Sequence, residues 1–485
     1  MGKPNNITNN FVWSLAEKTG RYGITLFTTI ILARILQPKE FGVIAIVTVF
    51  ITIANVFVQN GFGFAVIQRK NATNKDLTFI LFFNFIVSLI ICLFIFIAAP
   101  FIQDYYGMDG LSKIIRVMSL SIIIAAIGNI QQAYVSRNLE FKKLFISTFS
   151  AVMVSGGVGI LMAWLGYGVW ALVVQYMVYN LICTITLAFS SGLKLEGGVT
   201  FAELKSTIAL GGQFLLTSLI MTMGGELRTL VIGKLYGPTD LAYVNKGQRI
   251  TNAPMSVVQS SITAVMYPVL SQHQDRLEKI RDIVRRFVQV SSFLIFPTLF
   301  ALAAVANSLV PFLLTEKWNG CIQYVMLYCF IWLLNPIQMA HLQAIKAMGK
   351  GNTLVVLEIV KTVVSILILA LTVICFDSIL IIVVGLLIAE ILCTLITCSI
   401  GRKLFAYSYR MQVEDIMVPL LMSTIMFWVV KLVEYLSLGV LPVLILQIIV
   451  GVLVYWGFSR LFKPSGYTLA IPMIKGYWDK LKNRF

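Results

Sequence analysis

The feature that most constrains this chain is a recurrence of apolar blocks of about 20 or more residues, each long enough to cross a hydrocarbon core of about 30 Å as one helix. Short polar or turn-forming stretches separate them, among them Gln37-Pro38-Lys39-Glu40, Gly237-Pro238-Thr239-Asp240 and Gly349-Lys350-Gly351-Asn352. Irregular backbone facing lipid would leave peptide groups without partners, so the connections must be short and the blocks helical. Composition agrees, with 58% hydrophobic and 12% charged residues over 485 positions, where an average soluble chain has about 25% charged. The pattern predicts an all-α polytopic membrane protein with fourteen transmembrane helices at 11–35, 43–68, 77–102, 114–136, 142–165, 168–190, 206–233, 241–269, 287–312, 321–346, 352–376, 378–401, 413–435 and 438–461. It excludes a soluble domain and a large extramembrane catalytic domain.

Familiar catalytic signatures are missing. The seven cysteines lie almost entirely in apolar runs with no CxxC pair, and so read as small packing residues. The two histidines, His273 and His341, are 68 positions apart, and no HExxH, GxxxxGK[ST], GxSxG or complete GxGxxG occurs. No catalytic residue, metal site or resident cofactor is expected. The polar residues 1–10 run into a helix carrying Glu17, Lys18 and Arg21, which does not fit a cleavable signal peptide.

Cytoplasmic loops retain positive charge during insertion, and 25 of the 38 Lys and Arg fall on one side when the N-terminus is placed inside. Seven fall on the other side: Arg34, Lys39, Lys113, Arg116, Lys234, Lys317 and Lys431. Both termini are therefore expected in the cytoplasm. The net charge of +17 is then retention charge beside anionic lipid headgroups, concentrated at 276–286 and 475–484, and calls for no nucleic acid.

An internal repeat is visible. Arg34-Ile35-Leu36-Gln37-Pro38-Lys39-Glu40-Phe41 recurs 200 positions on as Lys234-Leu235-Tyr236-Gly237-Pro238-Thr239-Asp240-Leu241. A second echo, offset by 210, sets Asp109-Gly110 against Asn319-Gly320 and Gln131 against His341. Helices 1–6 thus resemble 7–12, and an even number per repeat makes the repeats parallel, with a site expected near the midplane between them. The expected organisation is an N-lobe at 1–195, a C-lobe at 196–405, two extra helices at 406–462 and a cytoplasmic interfacial tail at 463–485.

Ionisable groups inside spans cost about 2.5–3.5 kcal/mol each at mid-membrane and normally face a partner or a wet cavity. In helix 1, Asn10, Ser14, Glu17, Arg21, Thr25 and Thr28 form one polar stripe at helical spacing. Helix 8 repeats it with Asn245, Arg249, Asn252, Ser256, Gln259 or Ser260, and Thr263, flanked by Lys246. Helix 7 adds Gln213, Thr217, Glu226 and Arg228, and helix 2 adds Asn55, Gln59 and Asn60. These faces are expected to converge on one central cavity. Intramembrane cations (Lys18, Arg21, Arg228, Lys246, Arg249, Lys361) outnumber the anions counted with them (Glu17, Glu226, Glu358, Glu390), which favours an anionic cargo such as a phosphate. Amides such as Asn252 and Gln259 suit the hydroxyls of a sugar. Plainer readings stand beside these. Glu17 and Arg21 fit a self-contained i, i+4 pair, and Glu358 and Lys361 an i, i+3 pair. Arg228, Lys246 and Arg249 fit snorkelling to the outer interface. Glu390 fits a protonated core carboxyl, and His341 a core histidine. Helices 13 and 14 are expected to be uniformly apolar apart from Lys431 and Glu434, and to wall a groove for a lipid tail or only add packing.

The run Gly166-Tyr167-Gly168-Val169-Trp170-Ala171-Leu172-Val173, with the preceding 132–143 and the opening Leu32-Ala33-Arg34-Ile35-Leu36-Gln37-Pro38-Lys39-Glu40-Phe41-Gly42, resembles the hallmark stretches of polysaccharide exporters, the Wzx-type O-antigen and colanic-acid flippases of the multidrug/oligosaccharidyl-lipid/polysaccharide superfamily. The likeness covers about the first 400 residues. It implies a bacterial inner-membrane flippase, not an enzyme, moving an undecaprenyl-diphosphate-linked oligosaccharide from the cytoplasmic to the periplasmic leaflet for surface polysaccharide or lipopolysaccharide synthesis. It also implies two lobes rocking around a central cavity, with Arg21, Arg228, Lys246 and Arg249 engaging the diphosphate. Glu226 or Glu358 would couple the cycle to Na⁺ or H⁺, and glycan polymerase machinery would be a partner alongside membrane lipids. Two other functions compete. A multidrug or metabolite exporter calls for an acidic or aromatic cavity rather than a basic one. A membrane glycan polymerase or ligase needs sizeable outside loops, whereas the longest here, 101–113, holds little more than a turn.

Overall fold

A computed structural model of the chain describes residues 4–59, 74–193, 196, 201–436 and 438–469. Of the stripe residues named above, Asn60 and the side chains of Asn10, Ser14, Lys18, Gln59, Gln213, Thr217, Ser260 and Thr263 lie outside the described residues, as do the end of the second expected span and the tail from 470 on. Every regular element among the described residues is helical: α1 (Pro4–Ile35), α2 (Pro38–Gln59), α3 (Asn74–Tyr106), α4 (Leu111–Arg137), α5 (Phe141–Trp164), α6 (Val169–Ser191), α7 (Phe201–Leu235), α8 (Pro238–Ser271), α9 (Leu277–Leu314), α10 (Ile322–Trp332), α11 (Asn335–Ala347), α12 (Gly351–Cys375), α13 (Ile379–Phe405), α14 (Tyr409–Leu432) and α15 (Val440–Phe462). Among the described residues, eleven helical stretches are long and apolar enough to cross a membrane. The three long helices outside that set, α1, α7 and α8, are the ones that carry the polar stripes.

One expected span is interrupted. The tenth, 321–346, is split at Leu333-Leu334 into α10 and α11, with Pro336 in the first turn of α11. Proline cannot donate to the ladder and its ring crowds the carbonyl four residues back, so the helix restarts there. A short 3₁₀ turn, Glu316–Cys321, leads into α10 after Thr315, which has φ 78°.

By packing the chain separates into two compact units, Met1–Ala242 and Tyr243–Phe485. The first holds α1–α7 and the opening turn of α8. Its core sets Val47, Ile51, Ala54 and Val58 of α2 against Ile95 and Ala99 of α3, Met118 and Ile122 of α4, and Val173 of α6. Because lipid tails are as apolar as the side chains, close van der Waals fit rather than exclusion of water holds such helices together. Small residues supply that fit. A Cβ on Gly156 of α5 would stand 2.8 Å from Thr28 Oγ1 of α1, and one on Gly233 of α7 2.9 Å from Ile46 Cγ1 of α2.

The second unit packs Leu270 of α8, Ile280, Val284 and Val288 of α9, Ile337 and Ala344 of α11 and Phe405 of α13 into one core. Helix α9 carries the C-terminal hairpin. Tyr455 of α15 donates to the Phe293 carbonyl at 2.8 Å, Phe427 of α14 packs edge-on to Phe300, and Asn307 donates to Glu434 Oε1 at 2.6 Å.

Candidate functional site

The candidate residues fall on both units. In the first, Arg21 of α1 is partly exposed, its Nε 3.5 Å from Glu17 Oε1, four residues back on the same helix. Its guanidinium carbon lies 5.2 Å from the centre of the Tyr22 ring, and Tyr179 of α6 stands within its electrostatic reach. Other positions of α1 are closed, with Gly20 against Phe145 and Phe149 and Thr28, two turns along the stripe from Arg21, buried against Gly156. The stripe therefore does not face one way along its whole length: Thr25 is exposed, whereas Thr28 is packed against α5. Glu226 and Arg228 are half-buried on α7, just after the exposed Gly225.

In the second unit α8 has two unlike sides. Val244, Gly247, Thr251 and Met255 are buried, and a Cβ on Gly247 would meet Tyr324 of α10 at 2.8 Å. Lys246 lies away from that row and is packed as well, 5% exposed, with its ammonium 4.5 Å from the centre of the fully buried Trp318 ring. Gln248, Arg249 and Asn252 lie on the other side and are exposed. Gln259 donates to Asn335 Oδ1 at 2.8 Å, which ties α8 to the restart of the broken helix. Glu358 of α12 is 3.4 Å from Lys361 of the same helix, in the local pairing its spacing allows. Glu390 of α13 accepts from Gln338 of α11 at 2.7 Å, and the same amide donates to Thr394 Oγ1 at 2.9 Å. His341 is fully buried, with its Nδ1 2.8 Å from the Ile337 carbonyl, and reads as a core histidine.

One polar cluster escaped the reading of single helices. The side chain of Asp415 on α14 is only 3% exposed, so this helix is not apolar apart from Lys431 and Glu434 as expected. Its carboxylate accepts from Arg285 Nε and Nη2 at 2.8 Å each, from Gln289 at 2.6 Å and from Tyr407 at 2.8 Å. Burial first, then the neighbouring carboxylate, pushes the Tyr407 phenol above its ordinary range, so it remains the donor. The signal available in the sequence was Asp415 itself, the last of the polar residues Arg410, Gln412, Glu414 and Asp415 that open α14 before its apolar stretch.

An arginine and an asparagine exposed together on one helix face suit contact with water or a polar ligand rather than hydrocarbon. That face of α8 suits charge-assisted hydrogen bonds to an anion through Arg249 and amide contacts to hydroxyls through Asn252.

A family model described as polysaccharide biosynthesis protein matches residues 31–323. Among curated proteins, the chain is 25% identical over 327 residues to the lipopolysaccharide biosynthesis protein WzxC of Escherichia coli (strain K12), an alignment covering 67% of this chain and 66% of that protein. It is 24% identical over 323 residues to the succinoglycan biosynthesis transport protein ExoT of Rhizobium meliloti (strain 1021), covering 64% and 63%. The chain thus spans slightly less than two thirds of the length of these two relatives. Among solved structures, the lipid II flippase MurJ in an inward closed conformation superposes with a TM-score of 0.77 at 15% identity, over 93% of this chain and 98% of that one. An inward-facing MATE family multidrug resistance transporter gives a TM-score of 0.61 at 16% identity, over 80% and 97%. These likenesses establish the fold as that of MurJ and MATE transporters.

Proposed function

The chain belongs to the polysaccharide biosynthesis protein family, and from that premise we propose that it is a flippase for a lipid-linked glycan rather than an enzyme. The cargo is an undecaprenyl-diphosphate-linked oligosaccharide, carried from the cytoplasmic to the periplasmic leaflet of a bacterial inner membrane for surface polysaccharide assembly. Fourteen helices in two parallel repeats of six, plus a C-terminal pair, alternate access to a central cavity, with both termini in the cytoplasm. Arg21, Arg228, Lys246 and Arg249 hold the diphosphate, Asn252 and Gln259 meet the glycan, and Glu226 or Glu358 couples the cycle to Na⁺ or H⁺. The glycan passes to the polymerase machinery outside.

The observation that carries this reading is the exposed Arg249 and Asn252 face of α8. A permanent cation there is costly unless an aqueous passage or an anionic headgroup receives it. A lipid-linked sugar needs both a polar passage for its head and a side open to lipid for its tail, and an intramembrane basic face supplies the first. Lys246 is buried and Gln259 is half-buried, whereas Arg249 is exposed and Arg21 is partly exposed, so Arg21 and Arg249 are the residues on which the reading leans hardest.

Complementation of a flippase-null strain tests it, scored by surface glycan and by accumulated lipid-linked intermediate. The chain restores glycan and clears the intermediate, whereas Arg21→Gln with Arg249→Gln inserts normally and does neither. Full rescue by the double variant removes the anion site. Glu226→Gln and Glu358→Gln test coupling, and an unchanged response to pH and Na⁺ in both dismisses it.

A further inference from the structure

Arg21 and Glu17 stand one turn apart on α1, and as a pair their charges cancel. The guanidinium nevertheless makes no hydrogen bond through Nε: that atom is enclosed and has no hydrogen-bond partner, 3.5 Å from Glu17 Oε1. Glu17 therefore offsets the charge of Arg21 without fixing the plane of its fork. A pair with no net charge attracts an anion weakly from a distance, so its recognition of one depends on where the remaining N–H groups point.

The group that sets this direction comes from another helix. The phenol oxygen of Tyr179 on α6 accepts from the Arg21 guanidinium, and Glu17 lies within electrostatic reach of the same phenol. Tyr179 stands on a braced support. One turn along α6, the Cys183 carbonyl accepts from Ser147 Oγ of α5 at 2.9 Å, and the Cys183 sulfur is 3.4 Å from that hydroxyl. Helix α5 in turn packs on α1 near Arg21: Phe145 meets Trp13 with 5.4 Å between ring centres and, with Phe149, lies against Gly20. The Arg21 side chain is 38% exposed and that of Glu17 16%. The fork is thus enclosed at Nε and open elsewhere. A phenol suits the task, because a neutral acceptor orients a guanidinium without cancelling more of its charge, as a second carboxylate would.

We infer that Tyr179 is a positioning residue for Arg21, holding the guanidinium so that its exposed N–H edge meets the phosphate of a lipid-linked cargo. Tyr179 itself acts only through the arginine. The identity of the anion rests on the flippase reading, whereas the hold of Tyr179 on Arg21 does not.

Tyr179→Phe keeps the ring and removes the acceptor. Purified protein is equilibrated with two lipids, one carrying an oligosaccharide through a prenyl diphosphate and one carrying the same oligosaccharide through a neutral linkage. The substitution weakens binding of the diphosphate lipid about fivefold and leaves the neutral lipid unchanged. In an Arg21→Gln background it has no further effect. Ser147→Ala, in the same layer but away from the guanidinium, keeps the wild-type ratio of the two affinities. An unchanged ratio in Tyr179→Phe, equal losses for both lipids, a further loss on top of Arg21→Gln, or the same change of ratio in Ser147→Ala overturns the positioning role. A second measurement needs no lipid. Modification of Arg21 by phenylglyoxal, read by mass spectrometry against the exposed Arg286 of the same chain, runs severalfold faster in Tyr179→Phe protein that is monodisperse and equally helical. Equal rates overturn the hold. A wild type that binds both lipids alike, with the faster arginine reaction obtained, counts against the flippase reading and leaves the hold of Tyr179 standing.

Discussion

Asp415 receives both ends of the Arg285 guanidinium, Nε on Oδ2 and Nη2 on Oδ1, each at 2.8 Å, and so fastens α14 to α9. The partners are unequally placed: the aspartate side chain is 3% exposed and the arginine side chain 30%. Removing the arginine strands a buried carboxylate, whereas removing the aspartate leaves a cation that can reach water. Arg285→Ala should therefore cost about 3 kcal/mol and Asp415→Leu about half as much. Unfolding of the purified protein in detergent measures both, and the double variant should be more stable than Arg285→Ala alone.

Tyr407 donates the remaining hydroxyl hydrogen bond to that carboxylate. Tyr407→Phe should lower stability by about 1 kcal/mol. Since burial and Asp415 raise the folded phenol above its ordinary value, the contribution is fully present below the unfolded tyrosine pKa and is lost only when pH rises through the folded one. The stability gap between wild type and Tyr407→Phe should thus stay constant from about pH 6 to about pH 10. A gap that closes within that window would show the hydroxyl ionising there.

The two stretches by which the chain resembles polysaccharide exporters touch. Gly168 precedes α6 with φ 55° and ψ −128°, and a Cβ there would stand 2.7 Å from Glu40 Oε1, whose other oxygen accepts from the Gln37 amide at 2.6 Å. Gly168→Ala should cost about 2 kcal/mol from backbone strain, with displacement of Glu40 added. Gly157→Ala makes the control, because nothing lies within 4 Å of its added methyl. That substitution should be neutral or slightly stabilising in the same melting experiment.

Charge retention predicts that both termini lie inside. Green fluorescent protein fused after Phe485 should fluoresce and alkaline phosphatase fused there should be inactive. Phosphatase inserted in the turn at Gly107-Met108-Asp109 should be active. The opposite pattern would reverse the orientation and with it the direction assigned to transport.

The bundle was legible because apolar blocks and their glycine and proline boundaries are local properties, readable one helix at a time. The break at Leu333-Leu334 carried its signal, Asn335-Pro336, but the apolar residues on both sides made one span the simpler reading. The Asp415 cluster was harder, since its partners Arg285 and Gln289 are 130 and 126 positions away and no periodicity links them. In α8 the helical spacing separated an exposed edge bearing Arg249 and Asn252 from a packed one, yet only tertiary contact revealed that Lys246 turns toward Trp318. Gly168 stood in the sequence only as part of a family-like stretch, and its steric role is visible only with the Glu40 carboxylate that faces it.

The account rests on intramembrane cations that recognise a phosphorylated lipid. Its most direct test is equilibrium binding of two lipids to the purified protein, one carrying an oligosaccharide through a prenyl diphosphate and one carrying the same oligosaccharide through a neutral linkage. The diphosphate lipid should bind at least about tenfold more tightly, a difference of about 1.4 kcal/mol, and Arg21→Gln with Arg249→Gln should abolish the preference. Equal binding of the two lipids, or an undiminished preference in the double variant, would contradict it.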